Sequence, residues 1–428
     1  MKIKEFIRKL QNGSFDQHLK MLYGDDIKNQ KIRYEKAAEA FEKQFPHHCN
    51  AEIAVFSAPG RTEIGGNHTD HQHGCVLAAA VNLDVIAIVH FNEDKVIRLK
   101  SKGYPMDTVE LSDLSVRSSE TGTSAALIRG MASCFAERGI DVTGFDAYTT
   151  SDVLSGSGLS SSAAFEILVG TIINSHDNSG KFIPAEIARF GQYAENVYYG
   201  KNSGLMDQTV SAVGGLVFVD FFNTENPQII SYDFDFSRFG YEICITDTKG
   251  SHSGLSDEYS AVTAEMCHVA EQFGFEYLRQ LNPSDFMEAI PKLRTNCSDR
   301  EILRAIHFFD ENSRVHSEVN ALLSDDISKF CELVRHSGES SANLLQNQYS
   351  VKNPSEQGIP LGIAISKKIL NGKGAARVHG GGFAGTIQAF VPKEMADGYR
   401  EQMEKLFGKG CCYILKIRPV GGIEITEE

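Results

Sequence analysis

Apolar residues recur at three- and four-residue spacing near the start of the chain. In "DIKNQKIRYEKAAEAFEKQF" Tyr34, Ala37, Ala38, Phe41 and Phe45 fall on one face, and residues 1–45 are predicted to form packing helices. From 52 to 110 the texture changes to short β-rich runs, "EIAVFS", "VLAAAVNLDVIAIVHF" and "KVIRL". A helical stretch, "SAALIRGMASCFAERG", and a strand, "FDAYTT", follow. Two more helices are predicted in "LSSSAAFEILVGTIINSH" and "PAEIARFGQYAENVYYG", the second with Pro184 at a first-turn position. Strand-like runs "GLVFVDF", "QIISYDF" and "YEICITDT" occupy 215–247, and 256–350 reads as largely helical. The tail mixes the strands "GAARVH", "TIQAFV" and "CYILKI" with the helix "ADGYREQMEKLF". Mixed order of this kind predicts an α+β fold of two domains, 1–212 and 213–428, with no internal repeat.

Between two of the predicted strands lies "SAPGRTEIGGNHTDHQHG", residues 57–74, with Arg61, Glu63, Asp70, three histidines and four glycines. Pro59 and glycines 60, 65, 66 and 74 predict a loop with a short helical turn here. The spacing of His68, His71 and His73 around Asp70 suits a Zn or Mn site, and with it a metal-dependent hydrolase. That reading leaves Arg61 and two glycine-rich loops elsewhere without a purpose. In the alternative, Arg61 faces phosphate oxygens while Asp70 and its neighbours accept hydrogen bonds from a hydroxyl-rich ligand such as a sugar.

The first of those loops is "LSGSGLSSSAAF". Gly156, Ser157, Gly158 and Leu159 lead into Ser160, Ser161 and Ser162 at the mouth of an apolar helix, where free amides and the helix dipole favour an anion. No Lys follows the glycines, so it is not a Walker loop; it is not the dinucleotide fingerprint either, and a plain serine-capped helix is the alternative. The second is "HGGGFAG", residues 379–385, whose glycines require close approach to another backbone turn or to a ligand. A further segment, "YAENVYYGKNSGLMDQTV", carries Glu195 and, twelve residues on, Asp207. One carboxylate there suits Mg²⁺ and the other the proton of a substrate hydroxyl, with two solvated acids on amphipathic helices as the alternative.

Charge and composition narrow the partners. The 42 Lys plus Arg against 56 Asp plus Glu give a net charge of −14, with no basic block of the sort that tracks nucleic acid. Nine cysteines at irregular spacing, without a C-x-x-C pair, read as reduced thiols. With no signal-peptide core and no apolar run of membrane-spanning length, a cytoplasmic protein away from membranes is expected. Oligomeric state is left open, a monomer being slightly favoured.

Taken together and in order, these segments resemble the GHMP small-molecule kinase superfamily and, within it, the galactokinase family. "APGRTEIGGNHTDHQHGCVL" is similar to the family signature A-P-G-R-x-N-L-I-G-E-H-T-D-Y-N-x-G; "GSGLSSSAAF", "GLMDQ" and "GGGFAG" resemble its other motifs, and "HSGLSDEY" a sugar-packing segment. The resemblance implies an ATP- and Mg²⁺-dependent sugar 1-kinase with a nucleotide-binding first domain, a second α+β domain and an active site in the cleft between them. It implies Arg61 and Asp207 as catalytic residues and Gly156 to Ser162 as the nucleotide loop. Ser161, Ser162 and Glu195 would hold the metal, and Asn67, His68, Asp70, Gly204 and Tyr259 the sugar.

Departures bear on substrate more than on reaction. Asn67 stands where the family has Glu, and His71 where it has Tyr; Leu154, Ala384 and "TEI" at 62–64 also differ. An amide at 67 would not repel a carboxylate at carbon 6 of the sugar, so galacturonate or another hexose modified there is the alternative to galactose. The intact serine loop, Glu195 and Asp207 weigh against a non-catalytic sugar sensor.

Overall fold

The computed structural model describes residues 1–153, 158–251 and 253–427. In chain order the helices are α1 (Ile3–Asn12), α2 (Asp16–Tyr23), α3 (Ile27–Gln44), α4 (Ser124–Ala136), α5 (Ser161–Asn178), α6 (Pro184–Tyr193) and α7 (Met206–Val213). They continue as α8 (Ser256–Glu271), α9 (Pro283–Leu293), α10 (Asp299–Leu323), α11 (Ile327–Ser340), α12 (Gly358–Leu370) and α13 (Ala396–Phe407). The strands begin with β1 (Ala54–Gly65), β2 (Cys75–Asn92), β3 (Val96–Ser101), β4 (Met106–Glu110), β5 (Gly144–Ser151) and β6 (Leu216–Asp220). Six more follow: β7 (Gln228–Tyr232), β8 (Tyr241–Asp247), β9 (Ala375–His379), β10 (Thr386–Pro392), β11 (Cys412–Leu415) and β12 (Ile423–Glu424).

An eight-stranded sheet runs β12-β1-β2-β5-β3-β4, with β6 and β7 added along the first half of β2. Strand β2 spans 18 residues, long enough to pair with β6 at Cys75–Ala79 and with β5 at Val85–Asn92. Its run "VIAIV" is apolar at successive positions because both faces are covered. Val85, Ala87 and Val89 join the main core, into which α4 to α7 also pack, while Ile86 and Ile88 join a second core with α1 to α3. The amino-terminal helices thus roof the outer face of this sheet. Asp84 pins them there: it is fully buried, accepts from Tyr23 at 2.5 Å, and pairs with Arg33 at 2.6 Å and Arg418 at 3.0 Å.

The smaller antiparallel sheet, β11-β8-β10-β9, packs against α12 and α13 around Val378, Ile387, Ala389, Tyr399 and Met403. Helices α8 to α10 form a further core with Phe286, Phe308 and Leu345.

Two expectations change. Strands β6 and β7 lie beyond residue 213 yet belong to the first sheet, and β12 returns from the carboxyl end to pair with β1. The division expected at 212/213 therefore cuts through one sheet, because strand pairing recruits segments far apart in sequence. Likewise the loop expected across 57–74 is strand as far as Gly65. The breakers are absorbed by shifts of register between Pro59 and Arg61 and between Glu63 and Gly65, and the predicted short turn is present at Asp70–Gln72.

Candidate active site

The bulged stretch of β1 carries Arg61. Its Nε and Nη2 donate to the two carboxylate oxygens of Asp207, each at 2.7 Å, and its Nη1 donates to the Gly158 carbonyl. The backbone amide of Arg61 donates to the Leu159 carbonyl at 3.0 Å, so the serine loop is laced to the strand. A side chain at Gly60 would meet that carbonyl at 2.8 Å, which explains the glycine beside Arg61.

Helix α5 opens immediately after the loop. Ser160 has a left-handed backbone (φ 58°), and its hydroxyl donates to Asp207 at 2.6 Å instead of capping the helix. The first-turn amides of α5 thus have no side-chain cap, and with the helix dipole behind them they suit an anion. Ser161 and Ser162 begin the helix, and the Ser162 hydroxyl donates to Glu195 at 3.2 Å. Gly156, Ser157 and the Leu154 departure lie outside the described residues.

Glu195 sits in a single π-helical turn, Ala194–Tyr199, that extends α6. Lys201 donates to its Oε1 at 2.8 Å, and Gln208 to its Oε2 at 2.9 Å. Gln208 also donates to Glu166 at 3.0 Å. Burial, reinforced by the charge on Glu195, pushes the Glu166 carboxyl well above its usual range. Asp207 goes the other way: burial opposes its ionisation, but Arg61, the Ser160 hydroxyl and Lys201 together hold its carboxyl below the ordinary range. Asp207 is therefore an ionised acceptor already in place, with 29% of its side chain still exposed to an incoming hydroxyl. Ser162 and Glu195 offer the hard oxygen donors that Mg²⁺ takes.

Beside this cluster is a cavity of about 940 Å³ lined by Asp70, His71, Gly204, Leu205 and Tyr259 among others. A side chain on Gly204 would come within 2.9 Å of an Asp70 carboxylate oxygen, so the glycine keeps that acceptor open. Burial first, and the nearby Asp207 charge, raise the Asp70 pKa, against the opposing influence of His68. The Tyr259 hydroxyl donates to the Gly382 carbonyl at 3.0 Å.

Asn67 is placed differently from expectation. It is fully buried, its amide donates to Glu63 at 3.1 Å and Gly380 at 2.8 Å, and its carbonyl accepts from Asn347 at 2.9 Å and Ser341 at 3.3 Å. Every hydrogen-bonding position is spent on the protein, so the side chain offers nothing to a sugar. His68 is also turned inward: its Nε2 donates to the Gly381 carbonyl at 2.9 Å, leaving Nδ1 to accept from His71 Nε2 at 3.3 Å. Nor do the three histidines converge on a metal, because His73 stacks on Tyr277 with ring centroids 3.8 Å apart. Among the described residues the group close enough to hold an ion is instead His268, Cys297 and Glu301, remote in sequence from this run.

The triple glycine of "HGGGFAG" approaches protein. Gly380 and Gly381 present carbonyls to Asn67 and His68, and a side chain on Gly382 would collide with the Asn347 carbonyl at 2.1 Å. Sequence reasoning misses Lys201, Gln208 and Glu166. The signal for Lys201 is its place six residues after Glu195, meaningful only once the π-turn is known.

Comparisons with known proteins bear on the whole chain. The galactokinase galactose-binding signature matches residues 39–91, and the GHMP kinase N-terminal domain matches 126–215. The chain is 30% identical over 381 residues to a galactokinase of Glaesserella parasuis, covering 87% of this chain and 94% of that one. It is 32% identical over 358 residues to a galactokinase of Streptomyces coelicolor, covering 82% and 88%. In structure it is similar to the Lactococcus lactis galactokinase solved with galactose, at TM-score 0.75 and 22% identity, covering 90% of this chain and 99% of that one. The Methanococcus jannaschii mevalonate kinase has the same fold at TM-score 0.61 and 14% identity, covering 86% and 99%. By sequence, signature and fold, this chain belongs to the galactokinase family of GHMP kinases.

Proposed function

We infer that this protein transfers the γ-phosphoryl group of ATP to the anomeric hydroxyl of galactose. The observation that carries the reading is the Arg61–Asp207 pair, tied to the serine loop through Gly158 and Ser160 and three residues from the cavity-lining Gly204. The anomeric oxygen attacks the γ-phosphorus, the bond to the β–γ bridging oxygen breaks, and ADP leaves. Asp207 accepts a hydrogen bond from the hydroxyl and orients it, and the hydroxyl proton passes to this carboxylate or through it to water. Arg61 places positive charge beside the transferring group, and the α5 amides with Ser160 to Ser162 receive the phosphates. Asp70, Gly204 and Tyr259 line the sugar end.

Ser162 and Glu195 are the residues that would hold Mg²⁺, with Ser161 beside them; when bound, the ion supplies charge neutralisation on the phosphate oxygens. The division of the chain into a nucleotide-binding half and a second α+β half around this cleft is part of the same reading. Among the described residues no helix is long and apolar enough to cross a membrane.

The burial of Asn67 withdraws the argument for a sugar carboxylated at carbon 6. A coupled ADP-release assay over a panel of free hexoses and uronic acids tests the assignment. Galactose is expected to turn over and galacturonate to give no signal above background; turnover of a uronic acid in preference to galactose rejects the reading.

A further inference from the structure

Two carboxylates of the site, Asp207 and Glu195, each have a cation as partner. Asp207 is gripped by Arg61, and Glu195 by Lys201, whose Nζ lies 2.8 Å from the same Oε1 that accepts from Ser162. Those four charges cancel. Backbone geometry keeps Lys201 in this position, because the π-turn closes with the amides of Gly200 and Lys201 both donating to the Glu195 carbonyl, at 3.0 and 3.1 Å. The lysine is thereby anchored directly over the carboxylate it pairs with. Its side chain remains 59% exposed, against 3% for Glu195, so the ammonium can swing away while the carboxylate cannot.

We propose that Lys201 is a resident counter-ion that competes with free divalent metal for Glu195 and must leave that carboxylate before an ion can be held there. A free divalent cation must displace the ammonium and gains no uncompensated negative charge. The nucleotide complex brings phosphate oxygens that can receive the released ammonium. This rests on the reading of Glu195 as the metal carboxylate.

The test is direct binding of Mn²⁺ followed by electron paramagnetic resonance, with neither nucleotide nor sugar present. Wild type is expected to bind no tighter than millimolar, Lys201→Met to bind at least about fivefold more tightly, and Lys201→Arg to return to wild-type weakness. Tight binding by wild type, or no gain in Lys201→Met, overturns the proposal. Glu195→Gln separates the two ideas. If it leaves the Mg²⁺ requirement at saturating ATP unchanged, the assignment of Glu195 fails; if it raises that requirement while Lys201→Met gains nothing, the competition alone fails.

Discussion

Arg61 holds both oxygens of Asp207 in a planar two-point contact, 2.7 Å through Nε and 2.7 Å through Nη2. Such a fork fixes the carboxylate's plane as well as its charge. Arg61 and Ser160 outweigh burial and keep Asp207 ionised, so in the proposed reaction it would mainly aim the sugar hydroxyl. Asp207→Asn preserves shape but replaces one acceptor with a donor that faces a guanidinium. Steady-state kinetics should give a kcat lower by about 10²–10⁴ with the KM values for ATP and galactose changed little. Undiminished kcat would remove Asp207 from the mechanism.

Gly204 and Asp70 make the second case, in the cavity proposed for the sugar. A methyl group on Gly204 would press on the Asp70 carboxylate at 2.9 Å, turning it or screening it from the cavity. Gly204→Ala should raise the galactose KM about tenfold, equivalent to ~1.4 kcal/mol of binding, and leave the ATP KM alone. An equal rise in both would place Gly204 in the fold and not in the sugar site.

Much of this arrangement is legible in the residues. The change of hydrophobic period locates nearly all helices and strands, and motif and resemblance single out the serine loop, Arg61, Asp70, Glu195, Gly204, Asp207 and Tyr259. What escapes follows from pairing at long range. Strand β6 joins β2 across more than 130 residues and carries β7 on its other edge, so no local composition change marks the boundary. Pro59 and Gly60 read as strand breakers, yet a bulge accommodates both and points Arg61 at Asp207. Asn67 reads as a sugar contact because the resemblance places it in the galactose signature; only the second half of the chain, through Asn347, Ser341 and Gly380, shows the side chain to be enclosed.

His307 gives the fold a defined acid sensitivity. It is fully buried, donates through Nε2 to the Asn67 carbonyl at 2.9 Å, and so accepts at Nδ1 from Ser340 at 2.8 Å. Burial pulls its pKa down to about 4 from the ordinary 6.5. The unfolded chain then takes up the proton first, so this stability is fully present above pH 6.5 and is lost as pH falls from there to about 4. The full effect is on the order of 3 kcal/mol. Urea unfolding between pH 7.5 and 4.5 should show a declining stability whose slope is shallower in His307→Gln. An identical slope in the variant would assign the acid sensitivity to other groups, such as His71, which burial lowers to about 3.

Positions 63 and 67 present an exchange. The family signature places Asn at the first and Glu at the second, and here Glu63 and Asn67 stand the other way round, still in contact at 3.1 Å. Arg377, fully buried, pairs with Glu63 at 2.5 Å and lies 3.5 Å from Glu311. The local carboxylate has therefore moved four residues along the strand and its turn, and Arg377 holds it at the new place. Glu63→Asn leaves Arg377 with a weakened counter-charge, and Asn67→Glu crowds a second acid against Glu63 and the Gly380 carbonyl. Each single change should destabilise by roughly 3 kcal/mol. The double exchange restores one acid and one amide in contact, so the two losses should not add: a coupling of about 1–3 kcal/mol in favour of the double variant is expected from urea unfolding. Strictly additive losses would mean that the two side chains act independently and that Arg377 is tied to position 63 alone.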